Sequence, residues 1–223
     1  MKSASYYSKS ELVYQEIRDR ITLGMLRPGD RFSAQEIAKE LGVSRSPVND
    51  AMKKMSEYGL IRILPNVGYE VSLLNWKDIE DIMRIECILE TEGLRLNQTG
   101  FDQELIAELR EINHQTIRAL EDKNREDYYR LTDVFHWQFI ALSQSKILQD
   151  IFEKSRHYAG WDDGKIMEMT QELKRLLMQH DVVLDHLYQQ EIDQAIALLK
   201  EHSDYSIELV KKSLKNSHYA GIE

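Results

Sequence analysis

The stretch from Phe32 to Leu60, FSAQEIAKELGVSRSPVNDAMKKMSEYGL, decides the fold of the first part of the chain. Gly42 separates two helical patterns. The second pattern carries apolar residues at helical spacing, namely Val48, Ala51, Met52 and Met55. This is a helix-turn-helix pattern, which also occurs in ordinary surface hairpins of two helices. We expect the side chain of Ser44 to cap the second helix, and Pro47 lies early enough in it to remove no hydrogen bond.

A short polar cluster opens the second helix and consists of Arg45, Ser46 and Asn49. Helices that read DNA place their N-terminal residues in the major groove, where side chains hydrogen-bond to base edges. A DNA-reading helix needs polar residues at its N-terminal end and an apolar face that packs on the rest of the domain. The pattern therefore favours a DNA-reading helix.

The flanking sequence predicts the other parts of a winged helix. A first helix is expected from Glu11 to about Leu23, with Ser10 as its cap, and Pro28 and Gly29 indicate a turn after it. After the second helix, the runs LIRIL and GYEVSLL flank Pro65, Asn66 and Val67, which predicts a β-hairpin. Three helices followed by a hairpin are typical of the winged helix-turn-helix.

The run IRDRITLGMLRPGDRFSAQEIAKELGVSRSPVNDAM, followed by GLI and GYEV, resembles the amino-terminal domain of GntR-family transcriptional regulators. The resemblance implies a homodimer that binds a palindromic operator in double-stranded DNA. By motif position it implies DNA contacts from Gln35, Ser44, Arg45, Ser46, Asn49, Asn66 and Gly68. The family usually has arginine where this chain has Gln35 and Asn49. Amide side chains suit adenine where arginine suits guanine, so the operator sequence cannot be carried over from the family.

Composition and charge divide the chain into two parts. The net charge of the 223 residues is −9, but residues 1–75 carry a balance of +2 and residues 76–223 one of −11. An acidic regulatory domain attached to a mildly basic reader is compatible with DNA binding, because phosphate contacts depend on local charge. Cys87 is the single cysteine, and no stretch is apolar enough for a membrane span or a signal peptide. We therefore expect a cytoplasmic protein with domains 1–75 and 76–223.

The second domain shows helical patterns and no strand signal, which predicts an antiparallel bundle of six or seven helices and a mainly α protein. The predicted helices run from Lys77 to about Asn97, Gln103 to about Glu121, Glu126 to about Gln144, onward to about Tyr158, Met167 to about Gln189, and Glu191 to about Leu214. The sequence GWDDG at 160–164 is expected to be a loop.

Three histidines lie on the apolar stripes of three separate predicted helices: His136, His180 and His202. An inward histidine is usually a core residue hydrogen-bonded to a neighbour. Three imidazoles that converge inside a bundle need either separate partners or one shared cation, and a divalent metal ion satisfies all three. The sequence therefore offers these histidines as candidate metal ligands.

The segments LTDVFHWQF, QHDVVLDHL and AIALLKEH resemble the all-helical ligand-binding domain of the FadR subgroup of the same family. The resemblance implies a divalent ion of zinc, nickel or manganese type, held by the three histidines and by an aspartate four residues before the first. Thr132 stands at that place and Asp133 follows it, so both are further candidate ligands.

The resemblance also implies a small organic-acid effector and an arginine in the first helix of the domain. Glu86 occupies the place of that arginine, and Arg84 lies two residues earlier. These two are the candidate effector-binding residues, although a glutamate would repel a carboxylate.

The sequence favours a ligand-responsive transcriptional regulator and not an enzyme. The alternative from another class is a metal-dependent enzyme that uses the three-histidine site, since three protein ligands with an open position also hold catalytic zinc. A third interpretation is a bundle in which the metal has a purely structural role.

Overall fold

The structure of the protein is a computed structural model that describes residues 8–72, 75–97, 100–156 and 165–215. The chain divides into two compact units, and among the described residues the first comprises 8–72 and the second 75–97, 100–156 and 165–215. Each unit has an apolar core of its own. In the described part of the chain, no helix combines the length and the apolar character that crossing a membrane requires.

The first unit is a winged helix-turn-helix, as the sequence predicts. Its elements are α1 Lys9–Thr22, β1 Arg31–Phe32, α2 Ala34–Leu41, α3 Arg45–Glu57, β2 Ile61–Leu64 and β3 Gly68–Val71. The predicted stripe of α3 is buried and packs with the apolar face of α1, which includes Tyr14 and Ile17. This core fixes α3 with its N-terminal polar residues outside the packed face.

Two predicted helix caps differ from those in the structure. Helix α1 begins two residues earlier than expected, because the Ser8 side chain and not that of Ser10 accepts the hydrogen bond from the Glu11 amide. Ser44 does stand at the start of α3, but its side chain makes no cap hydrogen bond. The third position of the helix is Pro47, which has no N–H to donate to a capping oxygen.

The wing is a three-stranded antiparallel sheet in the order β1-β3-β2, so the predicted hairpin is confirmed and gains a third strand. Gly68 is required where β3 passes β1, since a Cβ there would lie 2.5 Å from the Phe32 carbonyl oxygen. Glu70 is buried between the exposed side chains of Arg31 and Arg62. Hydrogen bonds from these two arginines lower the pKa of Glu70.

The second unit is a bundle of six α-helices within the described residues, in agreement with the predicted six or seven. They are α4 Trp76–Leu96, α5 Gln103–Glu121, α6 Arg125–Ala141, α7 Lys146–Arg156, α8 Thr170–Tyr188 and α9 Ile192–Leu214, with a 3-10 turn at Lys165–Glu168. Helix α5 has the predicted bounds, and α6 ends three residues before the expected Gln144. Tyr158 and the loop at 160–164 lie outside the described residues.

Helix α4 packs against α6, α7 and α9, while α8 packs against α5 and α9. Helix α4 approaches α6 closely at Gly93, where a Cβ would lie 2.3 Å from the Phe139 carbonyl oxygen. Only glycine permits this distance. The close approach brings the C-terminal half of α4 against the helix that carries His136.

Candidate DNA-reading surface and metal centre

The predicted DNA-reading residues of α2 and α3 are exposed on the first unit. Ser44, Arg45, Ser46 and Asn49 lie at the N-terminal end of α3, and Gln35 lies in the first turn of α2. Arg45 Nη2 donates a hydrogen bond to Gln35 Oε1 at 2.5 Å, so these two predicted contacts adjoin each other. A helix N-terminus with exposed donors also attracts phosphate oxygens.

The wing lies beside this polar surface. The hydroxyl of Tyr69 on β3 donates to Asn49 Oδ1 at 2.9 Å, which joins the wing to α3. Asn66 is exposed in the turn between β2 and β3 and has a positive φ of 61°. Gly68 follows at the start of β3, where its packing against β1 already requires glycine.

The three inward histidines meet in the second unit. His136 on α6, His180 on α8 and His202 on α9 each offer a ring nitrogen, and these atoms lie within 4.8 Å of one another. His180 Nε2 and His202 Nε2 are 3.3 Å apart. Two nitrogen ligands of one tetrahedral cation at ~2.1 Å are about 3.4 Å apart, so this pair already has a suitable separation.

Asn113 fixes the tautomer of His180. The amide nitrogen of Asn113 donates to the Leu177 carbonyl at 3.0 Å, which turns its oxygen toward His180 Nδ1, also at 3.0 Å. His180 must then donate from Nδ1, leaving the Nε2 lone pair directed at His202. Burial, and then the charges of His202 and His136, hold the pKa of His180 well below its usual range. This imidazole is therefore neutral and ready to bind a cation.

Glu90 on α4 holds His136. Its Oε2 lies 3.0 Å from His136 Nδ1, and only 9% of the Glu90 side chain is exposed. Burial alone would lower the pKa of His136, but the charge and hydrogen bond of Glu90, with the charge of Glu86, outweigh it and raise the pKa. As in the case of His180, the Nδ1 hydrogen bond leaves Nε2 available.

His202 completes the group as its least supported member. Burial, and then the charge of His136, lower the pKa of His202 to about 3, and the Leu176 carbonyl opposes this only in part. Within the described part of the chain, its buried Nδ1 makes no hydrogen bond of ordinary geometry. The Nε2 of His202 faces His180 Nε2 and is the nitrogen that this ring offers to a cation, while its Nδ1 has no firm outer partner.

Thr132 and Asp133, the two candidate oxygen ligands from the sequence, are not part of the group formed by the three histidines. The Thr132 hydroxyl donates to the Tyr128 carbonyl at 2.8 Å, as a helical threonine commonly does. Asp133 is exposed and stands outside the group of three, because one residue along a helix turns the side chain by about 100°.

The two candidate effector-binding residues, Arg84 and Glu86, lie in different surroundings. Arg84 is exposed and pairs with Glu80 and with Asp204 of α9. Glu86 is half-buried, accepts a hydrogen bond from Ser155 of α7, and acts electrostatically on His136. Glu86 is thus the member of the pair that adjoins the histidines.

Another candidate for a ligand site is an open cleft of about 430 Å³ on α5 and α8, lined in part by Arg110, His114 and Tyr188. Its arginine is already paired with Asp181 and Asp185. None of the three clustered histidines lines it.

Comparison with known proteins assigns both units to described families. Residues 9–71 match the family described as "Bacterial regulatory proteins, gntR family", and residues 81–205, more than half of the chain, match the FCD domain. The chain belongs to the GntR family. The predicted resemblance of the first unit is therefore confirmed, and this GntR-family protein is a transcriptional regulator with an FCD domain.

Several relatives extend this assignment. The GntR-family chain is 32% identical over 142 residues to an uncharacterized HTH-type transcriptional regulator of Agrobacterium vitis, covering 62% of this chain and 83% of that protein. It is 24% identical over 209 residues to the HTH-type transcriptional repressor RspR of Escherichia coli K12, covering 91% and 89%. E. coli McbR/YncC has the same fold, with a TM-score of 0.82 at 21% identity over 92% of this chain and 99% of that one. The matched domains and relatives are regulators and not enzymes.

Three supporting residues of this GntR-family regulator were missed from the sequence. Tyr69 holds Asn49 in the first unit, while Glu90 and Asn113 hold His136 and His180 in the second. A buried asparagine and a buried glutamate in amphipathic helices are signals that could have found the last two. Their partners lie on other helices, so the sequence pattern alone does not reveal them.

Proposed function

We propose that this regulator binds a palindromic operator as a homodimer and that a small effector controls the binding from the second unit, with a divalent metal ion held by His136, His180 and His202. The observation that supports the effector site is the convergence of the three imidazoles on one point inside the bundle. The FCD match fits membership of the FadR subgroup. We infer a cytoplasmic location, because a regulator of bacterial genes acts on chromosomal DNA.

We assign DNA reading to the exposed residues at the start of α3 and to their neighbours. Arg45 can either form two hydrogen bonds to guanine or hold a phosphate, and Asn49 can form two to adenine. The wing contributes Asn66 at its exposed turn and Gly68 beside it. Gln35, Ser44 and Ser46 complete the proposed set on the same surface of the first unit.

The donor set fits a metal ion. The Nε2 atoms of His180 and His202 are already close, and Asn113 and Glu90 hold the rings of His180 and His136 at their Nδ1 atoms. A divalent ion held by three imidazoles keeps open coordination positions for the donor atoms of an effector. Small carboxylates are the class to test first, and Glu86 beside the group disfavours those with a second negative charge on its side.

The histidines couple ligand binding to helix packing because they come from three different helices. An effector that binds at this point has contacts with α6, α8 and α9 at once and favours the packing in which those contacts are best. The effector weakens DNA binding if it binds more tightly to the packing that does not bind DNA than to the packing that does. The largest decrease in DNA affinity equals the ratio of these two effector affinities. The response to the effector therefore depends on the histidine group, whereas affinity for DNA in the absence of effector depends on the DNA-reading surface.

The test is an operator titration of wild type, His180→Ala and His202→Ala, each with and without Zn²⁺ and a panel of small carboxylates. We expect both variants to lose bound metal in elemental analysis and to lose the effect of the carboxylate on DNA affinity. Affinity for the operator without carboxylate should stay close to that of wild type, because the reading surface is unchanged.

His186→Ala is the matched control, since His186 lies on the same helix as His180 but bonds to Glu191 outside the group. It should keep both the metal and the response. An unchanged carboxylate response in the His180 and His202 variants would separate the histidines from regulation. Zinc that raises the melting temperature of wild type, without any small molecule altering DNA affinity, would indicate a structural metal.

A further inference from the structure

We propose that Glu90 positions His136 as a metal ligand from outside the coordination shell, and that the centre is therefore an all-imidazole site for cations of the zinc and nickel type. This inference rests on the metal centre proposed above. It adds a positioning residue outside the three histidines and the class of ion that an all-imidazole donor set favours.

The position of Glu90 relative to the ring decides its role. Its carboxylate meets His136 at Nδ1, so the nitrogen left for a metal ion is Nε2, at the other side of the imidazole. Within the described chain, the ligand atoms that gather at the centre include no carboxylate oxygen of Glu90. It therefore orients the ring and does not coordinate.

An outer carboxylate has two effects on a metal-binding imidazole. It fixes the ring orientation and tautomer, and it makes the coordinating nitrogen more basic. It also places a negative charge near a cation that would otherwise be poorly compensated in a dry bundle. Glu90 is suited to both because it is buried and 3.0 Å from the ring.

Among the described residues, the ligand atoms that gather at the centre are all imidazole nitrogens. Thr132 gives its hydroxyl hydrogen to the Tyr128 carbonyl, and Asp133 is exposed. Imidazole ligands suit zinc and nickel, while manganese and magnesium favour carboxylate oxygen. The all-imidazole donor set therefore favours zinc and nickel over manganese.

The first experiment compares metal affinities of the full-length metal-free protein by isothermal titration calorimetry with Zn²⁺, Ni²⁺ and Mn²⁺. We expect Glu90→Gln to weaken zinc and nickel binding by about 10- to 100-fold, the usual effect of losing an outer carboxylate. Glu92→Gln is the matched control, because Glu92 lies on the same helix but pairs weakly with Arg95 at the surface. It should leave all three affinities unchanged.

The second variant restores the oxygen ligand. Thr132→Asp should increase affinity for Mn²⁺ and reduce the preference for Zn²⁺ over Mn²⁺, since a carboxylate then stands one helical turn before His136. An unchanged manganese affinity in a folded Thr132→Asp protein that still binds zinc would overturn the assignment of ion class.

A measurement on wild type keeps the proposal testable even where a variant fails to fold. In ¹⁵N NMR of the zinc-loaded protein, His136 should carry its proton on Nδ1; a proton on Nε2 overturns the proposal. Metal affinity that survives His180→Ala would instead reject the centre itself. Loss of zinc in His180→Ala with unchanged zinc affinity in Glu90→Gln would reject only the role of Glu90.

Discussion

The hydrogen bond between Arg45 and Gln35 holds the guanidinium of Arg45 on α3 against α2. We expect Arg45→Ala to weaken binding to a selected operator by about 1–3 kcal/mol, because it removes a base or phosphate contact. If Gln35 acts mainly by orienting Arg45, Gln35→Ala should also weaken operator binding. The double variant should then lose less binding free energy than the two single variants lose together. Titration of each protein with one duplex at fixed salt measures these binding free energies.

Arg18→Ala serves as the control, since it removes another arginine, one that lies on α1 and pairs with its neighbour Asp19. Its operator affinity should remain close to that of wild type. Wild-type affinity in Arg45→Ala would exclude this residue from the interface. Strictly additive losses would show that Gln35 contacts DNA independently of Arg45.

Ser44 shows how far single residues could be predicted from the sequence. The start of α3 was predicted correctly, because a serine before an apolar helical stripe marks a helix N-terminus. The predicted cap hydrogen bond was wrong, because Pro47 removes the amide that would donate it. Ser33 has no such proline and forms a complete capping box with Glu36.

The contact between α4 and α6 depends on Gly93. A methyl group at this position would meet the Phe139 carbonyl oxygen at 2.3 Å, and that oxygen belongs to a helix backbone that cannot simply rotate away. Gly93→Ala should therefore lower the free energy of unfolding of the second unit by about 1–3 kcal/mol. Urea unfolding followed by tryptophan fluorescence measures this, since Trp76 lies on α4 and Trp137 on α6.

The same substitution should weaken zinc binding, because pushing α4 away from α6 separates Glu90 from His136. Glu92→Ala is the control: it makes the neighbouring residue of α4 an alanine without filling the contact, and it should alter neither stability nor zinc affinity substantially. A Gly93→Ala protein with wild-type stability would mean that the helices separate at little cost. A wild-type zinc affinity of the Gly93→Ala protein would mean that Glu90 stays in contact with His136 when α4 and α6 separate.

Helices were predicted well and their contacts were not. Periodicity identified the helices because each has an apolar face, and α5 was predicted with correct bounds. The two-residue strand β1 was missed, since it is too short for an alternating pattern and exists only through pairing with β3. Gly93 gave no sequence signal of a close approach, because a glycine inside a helix does not identify the helix it touches.

Of the histidine centre, the sequence predicted the three clustered histidines but not the residues that hold them. Three inward positions on three stripes were enough to bring His136, His180 and His202 together. The sequence could not show that Glu90 and Asn113 hold two of these rings, since both contacts join residues far apart in the chain. Whole-molecule packing therefore supplies the tautomers that the residue pattern leaves open.

A dimer is expected because one winged helix covers only a half-site, and two-fold protein symmetry matches a palindrome with half-sites about one helical turn apart. The second unit offers a surface for it. Helices α4 and α7 pack against each other, and each leaves two isoleucines exposed: Ile85 and Ile88 on α4, Ile147 and Ile151 on α7. Exposed apolar side chains on adjoining helices suit a surface that a second copy covers.

Sedimentation equilibrium at micromolar concentration should show a dimer, and Ile88→Glu should weaken the dimer by at least about tenfold, since an uncompensated buried charge costs well over ~1 kcal/mol. Two-fold symmetry places the substitution in the interface twice. The control is Met178→Glu, on α8, where an apolar side chain is exposed to a similar extent, at 58% against 65% for Ile88. It should leave the dimer intact. A wild-type protein that remains monomeric with and without operator DNA would contradict the dimer, whereas a stable Ile88→Glu dimer would move the interface away from α4.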